Sequence, residues 1–457
     1  MKQVLIDTHC HLDMDHFDTD RRDVINRASE ARVKYIINPG SDRDGNIRSL
    51  QISADYPEVY SAVGIHPHDA KTLDEGLYAE LAEWAREPKV VAVGEIGLDY
   101  HYLHSPKGVQ IEAFRRQVSL AKDLGLPVIV HSREAKNDTL RILREEETDH
   151  LGVMHCFSGD IDMAKKAMEM GFYISLAGPV TYKNAKHLRE VAKIIPDEFL
   201  LLETDAPYLS PVPLRGKRNE PSYLKHTAWV IADIRGISMA DLARITTLNA
   251  MKLFRMEDIP EKGEVAYRIR DSLYLNITNR CTNKCGFCVK YRTSYVKGHN
   301  LRLERDPTTL QIIKAISDPK AYDEVVFCGI GEPFLRLDVV KKVAKWIKEQ
   351  GGRVRINTNG HGNIINGRNI LPELRGIVDS ISISLDAEDK KKYEKVCRPM
   401  VKGAFEGMLD FIRESKKYIP EVKLTVVDIP EIDIARCRTL AEDLGVELRV
   451  RKFNVVG

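Results

Sequence analysis

The 457-residue sequence contains no run of about 18 apolar residues, and its start, MKQVLID, passes straight into polar residues without a charged-then-apolar leader. Both absences argue against a membrane span or secretory signal, and for a cytoplasmic protein that engages no membrane. Low-complexity tracts are missing too. The eight cysteines form no disulfide framework: Cys10 and Cys156 sit beside histidines, Cys281, Cys285 and Cys288 cluster, and Cys328, Cys397 and Cys437 are scattered. That distribution fits a reducing compartment and points away from a small secreted scaffold. Histidine nearly disappears after residue 263, where only His299 and His361 remain of fourteen.

This length exceeds one hydrophobic core and suggests two or three domains. Residues 1–263 carry 34 Lys and Arg against 41 Asp and Glu, whereas 264–457 carry 35 against 26. The net charge of +2 therefore conceals one acidic and one basic module. Neither has a dense basic stripe, so extended gripping of a duplex is not expected of the first.

What is present is a rhythm. Eight apolar runs, VLIDTH, YIINPG, YSAVGIH, VVAVGEIG, PVIVHS, GVMHCFS, FYISLAG and FLLLETD, each precede a helix-like segment or long loop. Near-continuous apolar strands separated by helices predict a parallel sheet buried on both faces, and eight of them predict a TIM-type (β/α)8 barrel of α/β class. A final helix is expected around TTLNAMKLFRM. The stretch EDIPEKGEVAYRIR breaks the rhythm with charge, Pro and Gly, which places a boundary near residue 260. Six further runs, from SLYLNIT to ELRVRKF, predict a partial (β/α)6 barrel or open α/β sheet. The expected division is a hydrolase-like barrel over 1–258, a linker over 259–269 and a second domain over 270–457.

Polar residues interrupt the first set of strands at telling places. His9 and His11 flank Cys10 at the end of strand 1, and the period of two puts both side chains on one face. Glu95 is read at the end of strand 4, His131 of strand 5, His155 of strand 6 and Asp205 of strand 8. In a barrel all six converge on the mouth where active sites are built. Any one of these histidines alone would read as a hydrogen-bonded core residue, but six coinciding strand-end placements would not. Four imidazoles and two carboxylates form a mixed N/O set suited to divalent ions, Zn²⁺, Mn²⁺ or Mg²⁺. Six ligands allow two ions, with Glu95 as the bridging carboxylate and Asp205 orienting a water or accepting its proton.

The segments DTHCHLD, GIHPHD, GEIGLDY, HSREA, HCFSG, ETDAPYLSPVPLRGKRNEPSYL and TTLNAMKLF, in that order, resemble the TatD family of metal-dependent deoxyribonucleases in the amidohydrolase superfamily. The resemblance covers roughly residues 1–256. It implies a TIM-type barrel, metal ligation by His9, His11, Glu95, His131, His155 and Asp205, and phosphodiester hydrolysis at DNA ends. It also places His66 and Arg133 near the substrate, and the guanidinium fork of Arg133 suits a phosphate. Tyr100, His101 and His104 follow the Glu95 strand and are candidates for the rim.

The second module carries CTNKCGFC. Three thiolates within eight residues cannot complete a zinc site unless a fourth ligand is near, and none is. Three cysteines in a polar loop also make poor core residues. The remaining reading is a [4Fe–4S] cluster with one iron left open. This C-x3-C-x2-C motif after a strand resembles the radical S-adenosylmethionine superfamily, as do GIGEP at 329–333, NTNG at 357–360 and SISLDA at 382–387. The resemblance covers about residues 270–457. It implies a cluster on Cys281, Cys285 and Cys288, and S-adenosylmethionine at the open iron, cleaved reductively to a radical that abstracts hydrogen. It implies an electron donor such as flavodoxin or ferredoxin as partner. Gly331, Glu332, Asn359 and Ser384 are the candidate cofactor contacts, and Ile330 replaces the first glycine of the family's pair.

The combined expectation is a bifunctional enzyme: a phosphodiester hydrolase acting on nucleic-acid ends, joined to a radical enzyme of unknown substrate. Two alternatives are a hydrolase of a small phosphate ester or amide coupled to the radical reaction, and a non-catalytic first module that presents substrate.

Overall fold

Short runs rich in Val, Ile and Leu, many of them bounded by Gly, Pro or Asp, become strands in the computed structural model, which describes residues 4–147, 152–256 and 262–453. The chain divides into two compact units, Met1–Ile259 and Pro260–Gly457. Residues 259–261 of the expected linker lie outside the described residues.

The first unit holds β1 (Leu5–Asp7), β2 (Val33–Pro39), β3 (Val59–Val63), β4 (Val90–Asp99), β5 (Val128–Arg133), β6 (Gly152–Met154), β7 (Tyr173–Leu176) and β8 (Leu200–Leu202). They pair in chain order, all parallel, with helices between them. Ile6, Ile37, Ala62, Ala92, Ile129, Val153, Tyr173 and Leu201, one from each strand, share one buried cluster with Met251 and Phe254. That is the filled interior of a TIM-type barrel. The expected last helix spans Met239–Leu253, and Asn249 Nδ2 on it donates to the carbonyls of Asp197 and Leu200 at 2.7 and 2.9 Å.

Closure between β8 and β1 comes from the residues just beyond these three-residue strands. Thr8 N–H donates to Leu202 O (3.1 Å), Asp205 N–H to His9 O (2.9 Å) and His11 N–H to Ala206 O (2.8 Å). The seam therefore runs through the segments that carry the candidate ligands.

The second unit contains β9 (Ala266–Ile269), β10 (Ser272–Leu275), a short hairpin of β11 (Tyr295–Val296) and β12 (His299–Asn300), then β13 (Glu324–Phe327), β14 (Val354–Thr358), β15 (Ser380–Ser384), β16 (Glu421–Asp428) and β17 (Glu447–Lys452). The main sheet runs β17-β16-β15-β14-β13-β10-β9. Its six expected strands are parallel, a partial barrel, but β9 adds a seventh strand antiparallel to β10. Residues 266–269, read as linker because of their charge, are thus part of the sheet, held by backbone pairing that composition does not reveal. At the far edge β17 exposes Arg449, Arg451 and Lys452, charges that discourage edge-to-edge pairing. Among the described residues no helix is long and apolar enough to cross a membrane.

Candidate functional site

His9 and His11 follow β1, His155 follows β6 directly and Asp205 comes three residues after β8. His131 lies inside β5, two residues before its end. Glu95 differs from expectation: β4 does not end there but runs on to Asp99. Its register against β5 shifts between Val93 and Ile96, and this irregularity carries Glu95 into the site in mid-strand.

The six residues meet. Glu95 Oε1 lies 2.8 Å from His131 Nδ1 and 2.9 Å from His155 Nε2. Glu95 Oε2 lies 3.3 Å from His9 Nε2 and 3.5 Å from His11 Nε2. Asp205 Oδ1 stands 3.9 Å from both His9 Nε2 and His11 Nε2. Three ligand groups emerge: His9, His11 and Asp205; His66, Glu95 and His131; and His9, His155 and Glu203. His66, read as a substrate contact, thus stands beside Glu95, at 3.5 Å.

Sequence reasoning missed Glu203, Asp99 and His68. Glu203 is fully buried, 3.3 Å from His155 Nδ1, and accepts the Cys156 N–H. Its only signal was its place two residues before Asp205 in LLLETD. Asp99 Oδ2 touches His131 Nε2 at 3.2 Å and His68 Nε2 at 3.1 Å. Arg133 stands outside the ligand cluster, its guanidinium carbon 4.7 Å over the ring of Tyr102, and His104 stacks on the same ring with centroids 5.6 Å apart.

Burial dominates the electrostatics. It holds His9 down to about 3, reinforced by the charge of His155, and His66 down to about 4. Burial also opposes charge on His11 and His155, yet Glu95 and the neighbouring carboxylates push His11 up to about 9 and His155 well up. Burial lifts the Asp205 carboxyl to about 6. Glu95, despite its own burial, is held well below the carboxylate range by the surrounding imidazoles. His9 Nε2 and His11 Nε2 face each other at 3.1 Å, while the buried Nδ1 of each has no hydrogen-bond partner. Imidazole nitrogens crowded around buried carboxylates in this way fit divalent cations, which take neutral imidazole and ionised carboxylate together.

In the second unit Cys281, Cys285 and Cys288 occupy the loop after β10, half-buried and outside any disulfide. Burial, with Glu332 nearby, pushes the Cys281 thiol up to about 12, and burial raises Cys288. Thiols that resist ionisation alone become thiolates when a metal supplies positive charge, so the trio fits a thiolate-bound cluster. The backbone fastens this loop to the end of the helix Lys390–Cys397: Lys284 N–H donates to Cys397 O (3.0 Å), Gly286 N–H to Val396 O (3.2 Å) and Met400 N–H to Thr282 O (2.8 Å).

Side chains fasten it as well. Asn359 Nδ2 donates to Thr282 Oγ1 (2.8 Å) and lies 3.8 Å from Cys281 Sγ. Thr282 Oγ1 meets His361 Nδ1 at 2.9 Å, His361 Nε2 meets the Tyr393 hydroxyl at 3.0 Å, and Asn283 Nδ2 donates to that hydroxyl at 3.1 Å. Burial holds His361 down to about 4, so this ring is neutral, one imidazole nitrogen donating and the other accepting.

The candidate cofactor contacts separate. Gly331 needs its missing side chain, since a Cβ would stand 2.2 Å from Thr278 O. Glu332 is buried, and its carboxylate accepts from Phe334 N–H (3.0 Å), Thr358 Oγ1 (2.8 Å) and Asn359 N–H (2.8 Å). Glu332 and Asn359 thus tie the ends of β13 and β14 to each other and to the cysteine loop. Ser384 is half-buried at the end of β15, and Ile330 packs with Tyr267 and Leu301.

Residues 6–255 match the family model described as TatD related DNase, and residues 275–444 match that of the Radical SAM superfamily. An uncharacterized metal-dependent hydrolase, YabD of Bacillus subtilis (strain 168), is 47% identical over 254 residues, 55% of this chain and 100% of its own. Another, YcfH of Escherichia coli (strain K12), is 40% identical over 259 residues, 55% of this chain and 96% of its own. The crystal structure of YJJV, a TatD homolog from Escherichia coli K12, superimposes with a TM-score of 0.53 at 33% identity, covering 55% of this chain and 98% of that one.

Proposed function

Because the chain belongs to the TatD related DNase family through residues 6–255 and carries a Radical SAM superfamily domain over 275–444, we propose that this metal-dependent hydrolase acts on phosphodiester bonds at nucleic-acid ends. The observation that carries this reading is the division of Glu95, one carboxylate oxygen toward His131 and His155 and the other toward His9 and His11. Those residues with Asp205 would hold two divalent ions, with His66 standing beside Glu95 and His131 and Glu203 beside His9 and His155. Such ions, when bound, activate water and neutralise charge on a phosphodiester. Asp205 would orient an attacking water or take its proton, as a carboxylate within hydrogen-bond reach can. Arg133 offers a planar fork to the phosphate, and the acidic balance of residues 1–263 favours a single end over a long duplex.

In the second unit Cys281, Cys285 and Cys288 would hold a [4Fe–4S] cluster with S-adenosylmethionine at its open iron, and Gly331 lets the backbone close in beside them. Cluster and cofactor, when bound, supply one-electron chemistry, while the chain positions them and excludes water. A flavodoxin or ferredoxin is the fitting electron donor, and eight free thiols suit the reducing cytoplasm.

The test is nucleotide release from single-stranded DNA, RNA and small phosphodiesters with Mg²⁺, Mn²⁺ or Zn²⁺, for the wild type and Glu95→Ala. Metal-dependent release that the substitution abolishes is expected. No release with any ion, or release unchanged in Glu95→Ala, overturns the reading.

A further inference from the structure

We propose that a basic groove beside the cysteine loop is the docking face for an acidic one-electron carrier protein. The inference rests on the Radical SAM reading of the second unit and goes beyond it by locating the partner.

The groove encloses about 550 Å³ and is lined by Lys284, Glu394, Arg398, Met400, Lys402 and their neighbours. Lys284, Arg398 and Lys402 are exposed and form no ion pair among the described residues. Nearby Lys390, by contrast, is paired with Glu406 at 2.9 Å. Three uncompensated cations against one acid make a positive patch within a unit that is itself basic. Met400, 55% exposed, adds an apolar contact among them. Charge around an apolar centre suits a transient protein encounter steered by the partner's acidic surface. A single-stranded nucleic acid would want stacking aromatics, and this lining has none.

Position supplies the second argument. One wall of the groove is the cysteine loop itself, for Lys284 precedes Cys285 directly. The other wall is the 394–404 segment, joined to the loop through the bridge of Asn283 with Pro399 and the bond from Met400 N–H to Thr282 O. A carrier seated here contacts the backbone that holds the thiols. One electron leaves the carrier's reduced cofactor and lowers the cluster by one oxidation level, with no covalent bond made or broken.

The experiment uses the full chain, reconstituted anaerobically, with reduced flavodoxin as the carrier and dithionite as a small reductant that needs no docking. In Arg398→Glu/Lys402→Glu, cluster reduction by flavodoxin should slow by about tenfold or more and lose most of its salt dependence. Reduction by dithionite and iron content should stay at wild-type values. Binding of flavodoxin to the cluster-free protein should weaken in parallel. Should the Glu pair lose iron, Arg398→Gln/Lys402→Gln is measured in its place. Unchanged flavodoxin reduction and binding overturn the proposal, as does a variant that loses single-stranded oligonucleotide binding while flavodoxin reduction persists. If the reconstituted wild type holds no iron–sulfur cluster, the cluster reading fails, and the binding titration still decides the docking face.

Discussion

Asp99 Oδ2 lies 3.2 Å from Nε2 of His131, on the opposite edge of the ring from the nitrogen that faces Glu95. The other oxygen, Asp99 Oδ1, accepts the N–H groups of His101 and Tyr102, both at 2.9 Å. One carboxylate therefore orients a candidate ligand and anchors the rim loop. Despite burial, the bonds from His131 and the Tyr102 N–H hold Asp99 below the usual carboxylate range, so it is ionised at neutral pH.

Asp99→Asn should weaken divalent-ion binding by about 10- to 100-fold, the usual cost of losing the carboxylate behind a ligating imidazole. A metal titration followed by calorimetry measures it. Unchanged affinity would mean that His131 is oriented without Asp99.

Tyr102 is 52% exposed beside the site, with Arg133 over its ring and His104 stacked on it. A planar base stacked there gains about 1–3 kcal/mol. Tyr102→Ala should therefore raise KM for single-stranded oligonucleotides by about 5- to 150-fold with little change in kcat, while Tyr102→Phe retains the wild-type KM. Equal KM values for the wild type and the Ala variant would remove Tyr102 from substrate binding.

Tyr393→Phe deletes the hydroxyl shared by His361 and Asn283, leaving buried polar groups that cost about 1–3 kcal/mol each. The cysteine loop should loosen. The expected result is faster loss of cluster iron to a chelator, read by absorbance, with far-ultraviolet circular dichroism unchanged. Iron loss at the wild-type rate would show that the backbone bonds alone hold the loop.

Folding raises the Glu332 carboxyl from 4.5 to about 7, chiefly by burial, so the folded state holds this proton more tightly than the unfolded chain. The stability it contributes is complete below pH 4.5 and is lost as pH climbs to 7, a change of about 3 kcal/mol. Gln cannot titrate. Urea unfolding of the cluster-free protein at about pH 5 and pH 8 should show Glu332→Gln gaining on the wild type at the higher pH. A difference between the two proteins that is independent of pH would contradict the shift.

The strands and the convergence of the candidate ligands are legible because ligand-type residues interrupt apolar runs, as in VLIDTHCH and GVMHCFS, and such interruptions have few structural explanations. Glu95 was misplaced within its strand because VVAVGEIGLDY changes register without a break in hydropathy. Glu203 hid beside Asp205, since a carboxylate at a strand end reads equally well as a cap. Glu332 and Asn359, candidate cofactor contacts, also bond within the protein, and those bonds are not legible because their partners, Thr358 for one and Thr282 for the other, lie 26 and 77 residues away. Strand β9 pairs through its backbone inside a charged stretch, and hydropathy does not register backbone pairing.

The barrel's last seam is made by residues 8–11 and 202–206, the segments that also present His9, His11, Glu203 and Asp205. Closing the barrel and assembling the site are thus one equilibrium, and anything that binds only the assembled site draws the chain toward the closed form. A divalent ion held here would act as the clasp on a hoop, and a chelator should then unfasten the first unit at its seam before its central strands let go.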